Sequence, residues 1–231
     1  MPQHIGIAAC SAEGAALCFR TICLEALMGE YWHPEVTMHV HPLGQYMEHG
    51  GRGDWPGVAT LMLSSAEKLA AAGADFIICP DNTIHQAFDL VVGKSPRPWL
   101  HIAEVVATAA KESGYRRLGV LGTRLLMEGP VYPAYLERAA LEYDLPGLAE
   151  RERINEIIFQ ELVKGVLRTN SRAEMRTIIE RLGKKGCDAV ILGCTELPLL
   201  IEQSDSPLPI LDSTRLLARA ALRRAVTGTE V

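Results

Sequence analysis

Short apolar runs alternate with longer amphipathic stretches along the chain. The runs at Ile5 to Cys10 and Phe76 to Cys79 predict buried strands, and each is followed by a stretch that predicts a helix. The runs at Leu118 to Leu121 and Ala189 to Leu192 are followed in the same way. Strands that alternate with helices favour parallel sheets covered by helices on both faces, so the pattern predicts an α/β fold.

The pattern contains an internal repeat. Residues 73–83 read Gly-Ala-Asp-Phe-Ile-Ile-Cys-Pro-Asp-Asn-Thr, and residues 186–196 read Gly-Cys-Asp-Ala-Val-Ile-Leu-Gly-Cys-Thr-Glu. Each copy is a turn, a buried-strand pattern and a small polar cluster, and their alignment places Asp81 over Cys194. A repeat of this length indicates two structural units built from similar sequences.

From the repeat we expect two similar αβα domains with parallel sheets, related by pseudo-twofold symmetry, with the active site in the cleft between them. The expected N-terminal domain comprises residues 1–97 plus 208–231, and the expected C-terminal domain comprises residues 98–207. A chain of 231 residues is long enough for each half to bury its own core.

Polar side chains cluster directly after the predicted strands. In parallel sheets the carboxyl ends of strands are where ligands bind, so this shared position predicts one site. The segment that begins at Ser11 suits either an anion held by backbone N–H groups or a plain helix cap. The clusters are Ser11, Asp81 to His85, Thr123-Arg124, Cys194 to Glu196 and Asp212 to Thr214.

Two segments have a less distinct pattern. The glycine-rich stretch from His41 to Gly53 predicts a loop, and Val131 to Tyr143 predicts a single helix. Although His39, His41 and His49 lie in or beside this loop, no carboxylate or cysteine stands at helical ligand spacing next to them, so we expect no metal site.

Composition and charge argue against some classes of binding partner and location. A net charge of −5 and a pI near 5.8 give no basic face, which makes nucleic acid and anionic membranes poor partners. The N-terminus lacks the features of a signal peptide and no apolar run reaches membrane-spanning length, so we expect a cytoplasmic protein. The cysteines show no zinc-finger spacing, and we expect reduced, buried thiols at Cys18, Cys23, Cys79 and Cys187.

Asp81 and Cys194 can both transfer protons. At equivalent positions of facing halves they would approach a ligand from opposite sides, and a carbon acid that loses a proton on one face and regains it on the other is inverted. Cys194 would act as a thiolate in an exposed turn, whereas Asp81 needs burial to become an effective base. The alternatives are a core thiol for Cys194 and a helix N-cap for Asp81.

The residues of both polar clusters resemble a known family. Residues 191–197, Ile-Leu-Gly-Cys-Thr-Glu-Leu, together with residues 82–85, Asn-Thr-Ile-His, resemble the aspartate/glutamate racemase superfamily, and residues 119–124 and 52–55 resemble its amino-acid racemases. The resemblance implies a cofactor-independent isomerase of amino-acid metabolism that needs no pyridoxal phosphate and is usually a homodimer. The family commonly uses two opposed cysteines, and here Asp81 occupies the first position.

By position, the resemblance assigns the site residues. Asp81 and Cys194 would be the catalytic bases, and His85 is interpreted as a structural partner of a strand-end carbonyl rather than a base. The implied α-carboxylate ligands are Asn82, Thr83 and Thr195, the candidates for a second carboxylate are Ser11, Arg52 and Lys164, and Thr123 and Glu196 complete the substrate-binding set.

Three functions remain open at this point. The first is an amino-acid racemase with the unlike bases Asp81 and Cys194. The second is a one-cysteine decarboxylase or cis–trans isomerase of a small dicarboxylic acid, and the third is an amino-acid-binding relative without catalysis. In each reading the partner is a small molecule rather than nucleic acid or membrane.

Overall fold

The computed structural model describes residues 2–25, 29 and 32–228, and the backbone contacts divide the chain into two compact units. The first unit comprises Met1–Val105 and Thr214–Val231, and the second comprises Val106–Ser213. Each unit contains a four-stranded parallel sheet, which confirms the predicted α/β class. No helix in the described part of the chain is long and apolar enough to cross a membrane.

The sheet of the first unit is covered on both faces. One face packs against α1 and the last helix of the chain, and the other packs against α2 and α3. The strands are β1 (Ile5–Ala9), β2 (Val36–Val40), β3 (Phe76–Ile78) and β4 (Trp99–Leu100), in the order β2-β1-β3-β4. The helices are α1 (Ala12–Leu24), α2 (Leu43–Gly51), α3 (Trp55–Ala71), α4 (Phe88–Val92), which follows a 3₁₀ turn at Thr83–Ala87, and α5 (Ile102–Glu112), which leads into the second unit.

The sheet of the second unit has the same topology. Its strands are β5 (Arg117–Leu121), β6 (Glu142–Asp144), β7 (Ala189–Leu192) and β8 (Ile210–Asp212), in the order β6-β5-β7-β8. The helices are α6 (Arg124–Met127), α7 (Pro133–Arg138), α8 (Leu148–Gln160), α9 (Thr169–Lys184) and α10 (Leu197–Leu200), with 3₁₀ turns at Leu162–Lys164 and Gln203–Asp205, and α11 (Ser213–Thr227) returns to the first unit.

The internal repeat is confirmed by matching turn conformations and matching hydrogen bonds at equivalent positions. Gly73 and Gly186 both adopt a positive φ, +97° and +94°, in the turn before the central strands. Asp75 then accepts a hydrogen bond from the backbone N–H of His4 at 2.7 Å, and Asp188 accepts one from Arg116 at 2.7 Å. In each unit the aspartate thereby ties the start of one strand to its neighbour.

The division of the chain falls later than the boundaries expected from the sequence. Trp99 pairs with Ile77 of β3, so β4 belongs to the first sheet. Ile210 pairs with Val190 of β7, so β8 belongs to the second sheet. The expected boundaries, at residues 97 and 207, precede both strands, because hydrophobic pattern does not reveal which sheet a short strand joins.

Two secondary-structure predictions were wrong. The glycine-rich segment is the helix α2 rather than a loop, because Tyr46 is buried against the core and holds it in place. The single helix predicted up to Tyr143 is the short helix α7 followed by β6. Ala140, with φ of 56°, reverses the chain between them, and β6 then pairs with β5.

Candidate functional site

The first group of predicted site residues lies at the carboxyl ends of β1 and β3. The Asp81 carboxylate oxygen Oδ2 accepts hydrogen bonds from the backbone N–H groups of Cys10, at 3.1 Å, and Ser11, at 3.3 Å. Ser11 is also the N-cap of α1, and its Oγ accepts from the N–H of Gly14 at 3.2 Å. The segment after β1 therefore holds an anion and caps a helix, and the anion is the side chain of Asp81.

Asp81 lies one residue before the N-cap of the helical turn that follows it. The N-cap position of the 3₁₀ turn is occupied by Asn82, which is buried. Because N–H donors stabilise a carboxylate in its charged form, the contacts with Cys10 and Ser11 favour an ionised Asp81. We call Ser11, Asp81, Asn82 and Thr83 the Asp81 cluster.

His85 fixes the backbone beneath the Asp81 cluster. Its Nδ1–H donates to the carbonyl of Asp81 at 2.8 Å, and its Nε2 accepts from the N–H of Ile102 at 3.5 Å. The ring stacks on Phe88. Burial lowers the pKa of His85 to about 4, so the imidazole is neutral near pH 7. The predicted role of His85 as a partner of a strand-end carbonyl is confirmed.

The interior beside Asp81 contains a buried phenol and a buried thiol. Tyr46, on α2, and Cys79, at the end of β3, belong to the same core cluster as Cys10. Burial raises the pKa of both Tyr46 and Cys79, and the negative charge of Asp81 raises both further. Sequence analysis missed Tyr46 because its segment was predicted to be a loop.

The cysteines are free. Cys18, Cys79 and Cys187 are buried as predicted, but Cys23 is only half-buried and that prediction was wrong. Cys23 follows Ile22, which faces the core of the first unit, so a one-residue step along α1 turns its side chain toward the helix flank.

The second group of predicted site residues follows β7. The thiol of Cys194 donates a hydrogen bond to Glu196 Oε2, with Sγ and Oε2 2.9 Å apart. The hydroxyl of Thr195 donates to the same oxygen at 2.7 Å. The exposed fractions are 8% for Cys194, 2% for Thr195 and 4% for Glu196, so this contact is shielded from water. We call these three residues the Cys194 cluster.

One expectation for Cys194 requires correction. The thiol was expected in an exposed turn, but it is buried and packs on the core of the second unit. A carboxylate oxygen of Glu196 also lies at hydrogen-bond distance from Sγ. A carboxylate there can accept the thiol proton, which a purely apolar core site could not do. The sequence signal that could have predicted this contact is the spacing of two residues between Cys194 and Glu196.

Close packing of β5 against β7 positions the Cys194 cluster. The N–H of Gly193 donates to the carbonyl of Leu121 at 2.7 Å. A Cβ at Gly193 would lie 2.9 Å from that carbonyl oxygen and 2.5 Å from a methyl group of Leu126. Thr123 caps the neighbouring helix α6, and its Oγ1 accepts from the N–H of Leu126 at 3.2 Å. Because a Cβ at position 193 would meet both Leu121 and Leu126, glycine is required immediately before Cys194.

Two predicted substrate ligands lie outside both clusters. Arg52 ends α2 as an exposed side chain, and its guanidinium is paired with Glu48 at 3.0 Å. Lys164 is exposed in a 3₁₀ turn, and its ammonium donates to Gln160 at 2.9 Å. Ser11, Asn82 and Thr195 are buried and Thr83 is half-buried at the strand ends. Substrate contacts for all of these residues remain predictions.

The three histidines near α2 contact other side chains. His49 Nδ1 lies 2.7 Å from Asp54, which is the N-cap of α3. His39 contacts Ser65 at 3.0 Å and His41 contacts Ser64 at 3.2 Å. Within the described residues, no group of three or more histidine, cysteine, aspartate and glutamate side chains is arranged to hold a metal ion.

Comparison with known proteins gives one family. The sequence profile described as Asp/Glu/hydantoin racemase matches residues 23–221. Among curated proteins, the broad specificity amino-acid racemase RacX of Bacillus subtilis is 25% identical over 165 residues, which are 70% of this chain and 69% of that protein.

Solved structures have the same fold. An aspartate racemase homologue from Pyrococcus horikoshii is 30% identical and superimposes with a TM-score of 0.84 over 97% of this chain and 99% of that one. The aspartate racemase of Picrophilus torridus is 19% identical, with a TM-score of 0.78 over 97% of this chain and 94% of that one. At that identity, the second likeness concerns the fold alone.

Proposed function

This chain belongs to the Asp/Glu/hydantoin racemase family, and on that premise we propose that it is an amino-acid racemase in which Asp81 and Cys194 exchange the Cα proton of the substrate. The RacX protein supports an amino acid as the substrate class. In this proposal the two side chains act on opposite faces of the substrate Cα. The reaction needs no cofactor, because the two side chains and the substrate carboxylate supply all of its chemistry.

The observation that carries the proposal is the contact between Cys194 and Glu196. A thiol whose sulfur lies 2.9 Å from a buried carboxylate oxygen has a nearby group that can take and return its proton. A cysteine that merely fills a core needs no such partner. Thr195 donates to the same oxygen, which holds the carboxylate of Glu196 in position.

The state of the two side chains favours a direction for the first step. Asp81, held by two N–H donors, begins as a carboxylate and takes the Cα proton. The C–H bond breaks, an O–H bond forms, and the electron pair left on Cα is delocalised into the substrate carboxylate. The Cys194 thiol then gives its proton to the opposite face and becomes a thiolate.

The other enantiomer uses the same groups in reverse. The Cys194 thiolate takes the Cα proton, and the carboxylic acid form of Asp81 returns one to the opposite face. Since the two bases are unlike, the rate constants of the two directions differ. The equilibrium remains an equal mixture of enantiomers, because a catalyst does not change it.

The substrate carboxylate needs hydrogen-bond donors, and the hydrogen bonds must strengthen as negative charge develops on it. Asn82, Thr83 and Thr195 are the side chains we propose for this role, since they sit at the strand ends beside the two proton-transferring groups. Ser11, Arg52 and Lys164 stay our candidates for a side-chain carboxylate. Of these, Arg52 and Lys164 would have to exchange their partners Glu48 and Gln160 for the substrate.

The proposal is tested by proton NMR in D₂O with each enantiomer of aspartate and glutamate. Loss of the Cα proton signal measures exchange, and circular dichroism measures inversion. We expect both in the wild-type protein, and a fall of about 10²–10⁴-fold in Cys194→Ala, because a positioned acid or base contributes that much. Cys187→Ala is the matched control, since Cys187 is buried in the same unit with a pKa that burial raises to about 11.

Asp81→Asn separates a two-base from a one-base reaction. We expect inversion to be lost, because the amide keeps the shape of the carboxylate but takes no proton. Unchanged inversion in Asp81→Asn would remove Asp81 from the mechanism. Unchanged exchange in Cys194→Ala would contradict the proposal as a whole.

A second candidate function is favoured by the same contacts of Asp81. A carboxylate stabilised by the N–H groups of Cys10 and Ser11 is a weak base, which would leave one working proton donor, Cys194. In a decarboxylase, the C–C bond to a carboxylate breaks, CO₂ leaves, and the thiol protonates the resulting carbanion. Release of CO₂ from a small dicarboxylic acid, lost in Cys194→Ala and retained in Asp81→Asn, would support this alternative.

A further inference from the structure

A side-chain contact joins the segment that carries Arg52 to the next helix. His49, in the last turn of α2, has its ring nitrogen Nδ1 2.7 Å from the carboxylate oxygen Oδ2 of Asp54. The other oxygen of Asp54, Oδ1, accepts from the N–H of Gly57 at 2.9 Å and caps α3. Of residues 52–55, whose sequence resembles amino-acid racemases, the proposed function uses only Arg52.

The chemistry of the groups fixes the direction of both contacts of Asp54. The N–H of Gly57 and the bond from His49 lower the pKa of Asp54, so its side chain is a carboxylate near pH 7. A carboxylate only accepts hydrogen bonds, so the proton lies on Nδ1 and His49 is the donor. Asp54 therefore connects α2 to α3, with one oxygen bonded to each helix.

The backbone of the same turn also closes on His49. Its carbonyl accepts from the N–H of Arg52 at 3.1 Å and from the N–H of Asp54 at 2.9 Å. Gly53, between them, has φ of +69°, a left-handed conformation that glycine adopts without strain. The ring and the carbonyl of His49 thus hold both ends of the short segment from Arg52 to Asp54. We call the contacts of His49 with these two residues the His49 clamp.

The end of α2 needs such a contact, because its own sequence is a weak helix former. Gly50 and Gly51 precede Arg52, and glycine is among the least favourable residues in a helix. A Cβ at either glycine would meet no described atom within 4 Å outside the helix itself, so packing does not explain them. The guanidinium of Arg52 pairs with Glu48 of the same helix, which ties the segment to nothing else. The His49 clamp, in contrast, joins it to α3.

Gly57 leaves the space in which the ring and the carboxylate meet. A Cβ at this position would overlap both Nδ1 of His49 and Oδ2 of Asp54. Alanine is otherwise the better residue within a helix. A single methyl group at position 57 would therefore break the clamp while leaving its donor and its acceptor in the chain.

We propose that His49 is a positioning residue, which through Asp54 holds the backbone beside Arg52 in place so that Arg52 binds the side-chain carboxylate of an acidic amino acid. With the clamp intact, substrate binding has to order only the side chain of Arg52. Without the clamp, binding must also order the backbone of residues 50–53, which costs conformational entropy. The substrate class rests on the proposed function, whereas the clamp does not.

The clamp is tested by trypsin cleavage of the native protein at the Arg52–Gly53 bond, followed by mass spectrometry. Cleavage requires local opening, so its rate reports how often this segment opens. We expect His49→Leu to raise the rate about three- to fivefold, as for the loss of one partly exposed charged contact. Gly57→Ala should raise it about tenfold, because the added Cβ also displaces the N-cap of α3.

Three controls separate the clamp from a general loss of stability. His49→Asn keeps a donor near the place of Nδ1 and should restore the wild-type rate. Gly50→Ala adds a Cβ in open space and should not raise the rate. Cleavage after Lys94, which is exposed in the same unit, should be unchanged in every variant. Equal rates at Arg52 in the wild type and Gly57→Ala would overturn the clamp, and so would an equal rise after Lys94.

A double-mutant cycle tests whether the clamp acts through Arg52. With aspartate as the substrate, we expect His49→Leu to raise KM about three- to fivefold and to keep kcat within about twofold, because binding rather than proton transfer is affected. In the Arg52→Gln background, the same substitution should leave KM unchanged. An equal rise of KM in both backgrounds would overturn the positioning role of His49.

Proteolysis and deuterium exchange at the substrate Cα keep the two proposals apart. Faster cleavage at Arg52 in His49→Leu, without exchange in the wild type, would contradict the proposed function and support the clamp. Exchange in the wild type, with equal cleavage rates in all variants, would support the proposed function and overturn the clamp.

Discussion

The two strand-end clusters occupy equivalent positions of the repeat but have opposite electrostatic surroundings. Asp81 is an acid surrounded by donors, because the backbone N–H groups of Cys10 and Ser11 both point at its carboxylate. Cys194 is a thiol beside an acceptor, because the carboxylate of Glu196 lies 2.9 Å from Sγ. The side chain of Asp81 therefore faces hydrogen-bond donors, whereas the side chain of Cys194 faces an acceptor.

In the proposed reaction, this difference would let two unlike residues share the proton transfers. A racemase needs one group without a proton and one with a proton at the start of each turnover. Two identical cysteines would need their surroundings alone to create that asymmetry. In the proposed mechanism, the residue types of Asp81 and Cys194 and their hydrogen-bond partners would create it together.

The largest effect we expect is a loss of stability of the first unit at acid pH, and it tests the surroundings of Asp81 through its hydrogen-bond partner His85. Burial lowers the pKa of His85 to about 4, below the value of about 6.5 for an unfolded chain. The free energy of unfolding should therefore be highest above pH 6.5 and should fall by about 3 kcal/mol between pH 6.5 and 4. Below pH 4, His85 should cause no further decrease. Urea denaturation followed by tryptophan fluorescence measures it.

The readout and control for this experiment follow from the sequence. All three tryptophans, Trp32, Trp55 and Trp99, lie in the first unit, so their fluorescence reports on the unit that contains His85. His85→Gln should flatten the pH dependence, whereas His33→Gln, at an exposed histidine, should not. An equal slope in His85→Gln and the wild type would contradict the assignment.

The next effect concerns the acceptor beside Cys194. Glu196→Gln keeps the shape of the side chain but removes the charge that accepts the thiol proton, so we expect Cα exchange to fall by about a hundredfold. Alkylation of Cys194 should instead begin at lower pH, because a negative neighbour that opposes the thiolate has been removed. Glu180→Gln is the control, since Glu180 is a half-exposed carboxylate paired with Arg176 in the same unit. Unchanged Cα exchange in Glu196→Gln would contradict the role of Glu196 as the proton acceptor.

A smaller effect tests the glycine that precedes Cys194. Gly193→Ala would place a Cβ 2.9 Å from the carbonyl oxygen of Leu121, and we expect a loss of about 1–3 kcal/mol in unfolding free energy from this overpacking. Thermal denaturation followed by far-ultraviolet circular dichroism measures the change. Gly44→Ala is the contrast, because a Cβ there meets nothing within 4 Å, and it should not destabilise the protein.

The smallest effect on stability is expected at Arg52. Its pair with Glu48 is exposed to solvent, so Arg52→Gln should change the unfolding free energy by no more than about 0.5 kcal/mol. If Arg52 binds a side-chain carboxylate, KM should rise for aspartate and glutamate and stay constant for a neutral amino acid. Equal KM values in Arg52→Gln and the wild type would remove Arg52 from the substrate-binding set.

Most of the fold followed from the hydrophobic pattern. The central strands β1, β3, β5 and β7 are continuous apolar runs, because strands in the middle of a covered parallel sheet are buried on both faces. The edge strand β6 was missed because it is not buried in this way. Two of its three residues are exposed, and its sequence, Glu-Tyr-Asp, carries no apolar pattern. The helix α2 was missed because its glycines outweighed the single buried anchor Tyr46.

The candidate site was predicted less completely than the fold. The positions of Asp81 and Cys194 after their strands could be predicted from the repeat, and the structural role of His85 from its place at the start of the helix after the motif. The partners of those side chains could not. Asp81 bonds backbone groups about 70 residues away, and Tyr46 is buried because α2 and α3 pack against the same face of the sheet.

The sequence by itself determined the alternation of strands and helices, the repeat, the family, and the positions of Asp81 and Cys194 after their strands. These are local or periodic properties, and a linear pattern records them directly. The tertiary structure alone decided which sheet β4 and β8 join, that Asp81 is held by donors, and that His39 of β2 contacts Ser65 of α3. Such features depend on contacts between distant segments, whose partners are chosen by packing and by the need to satisfy buried polar groups.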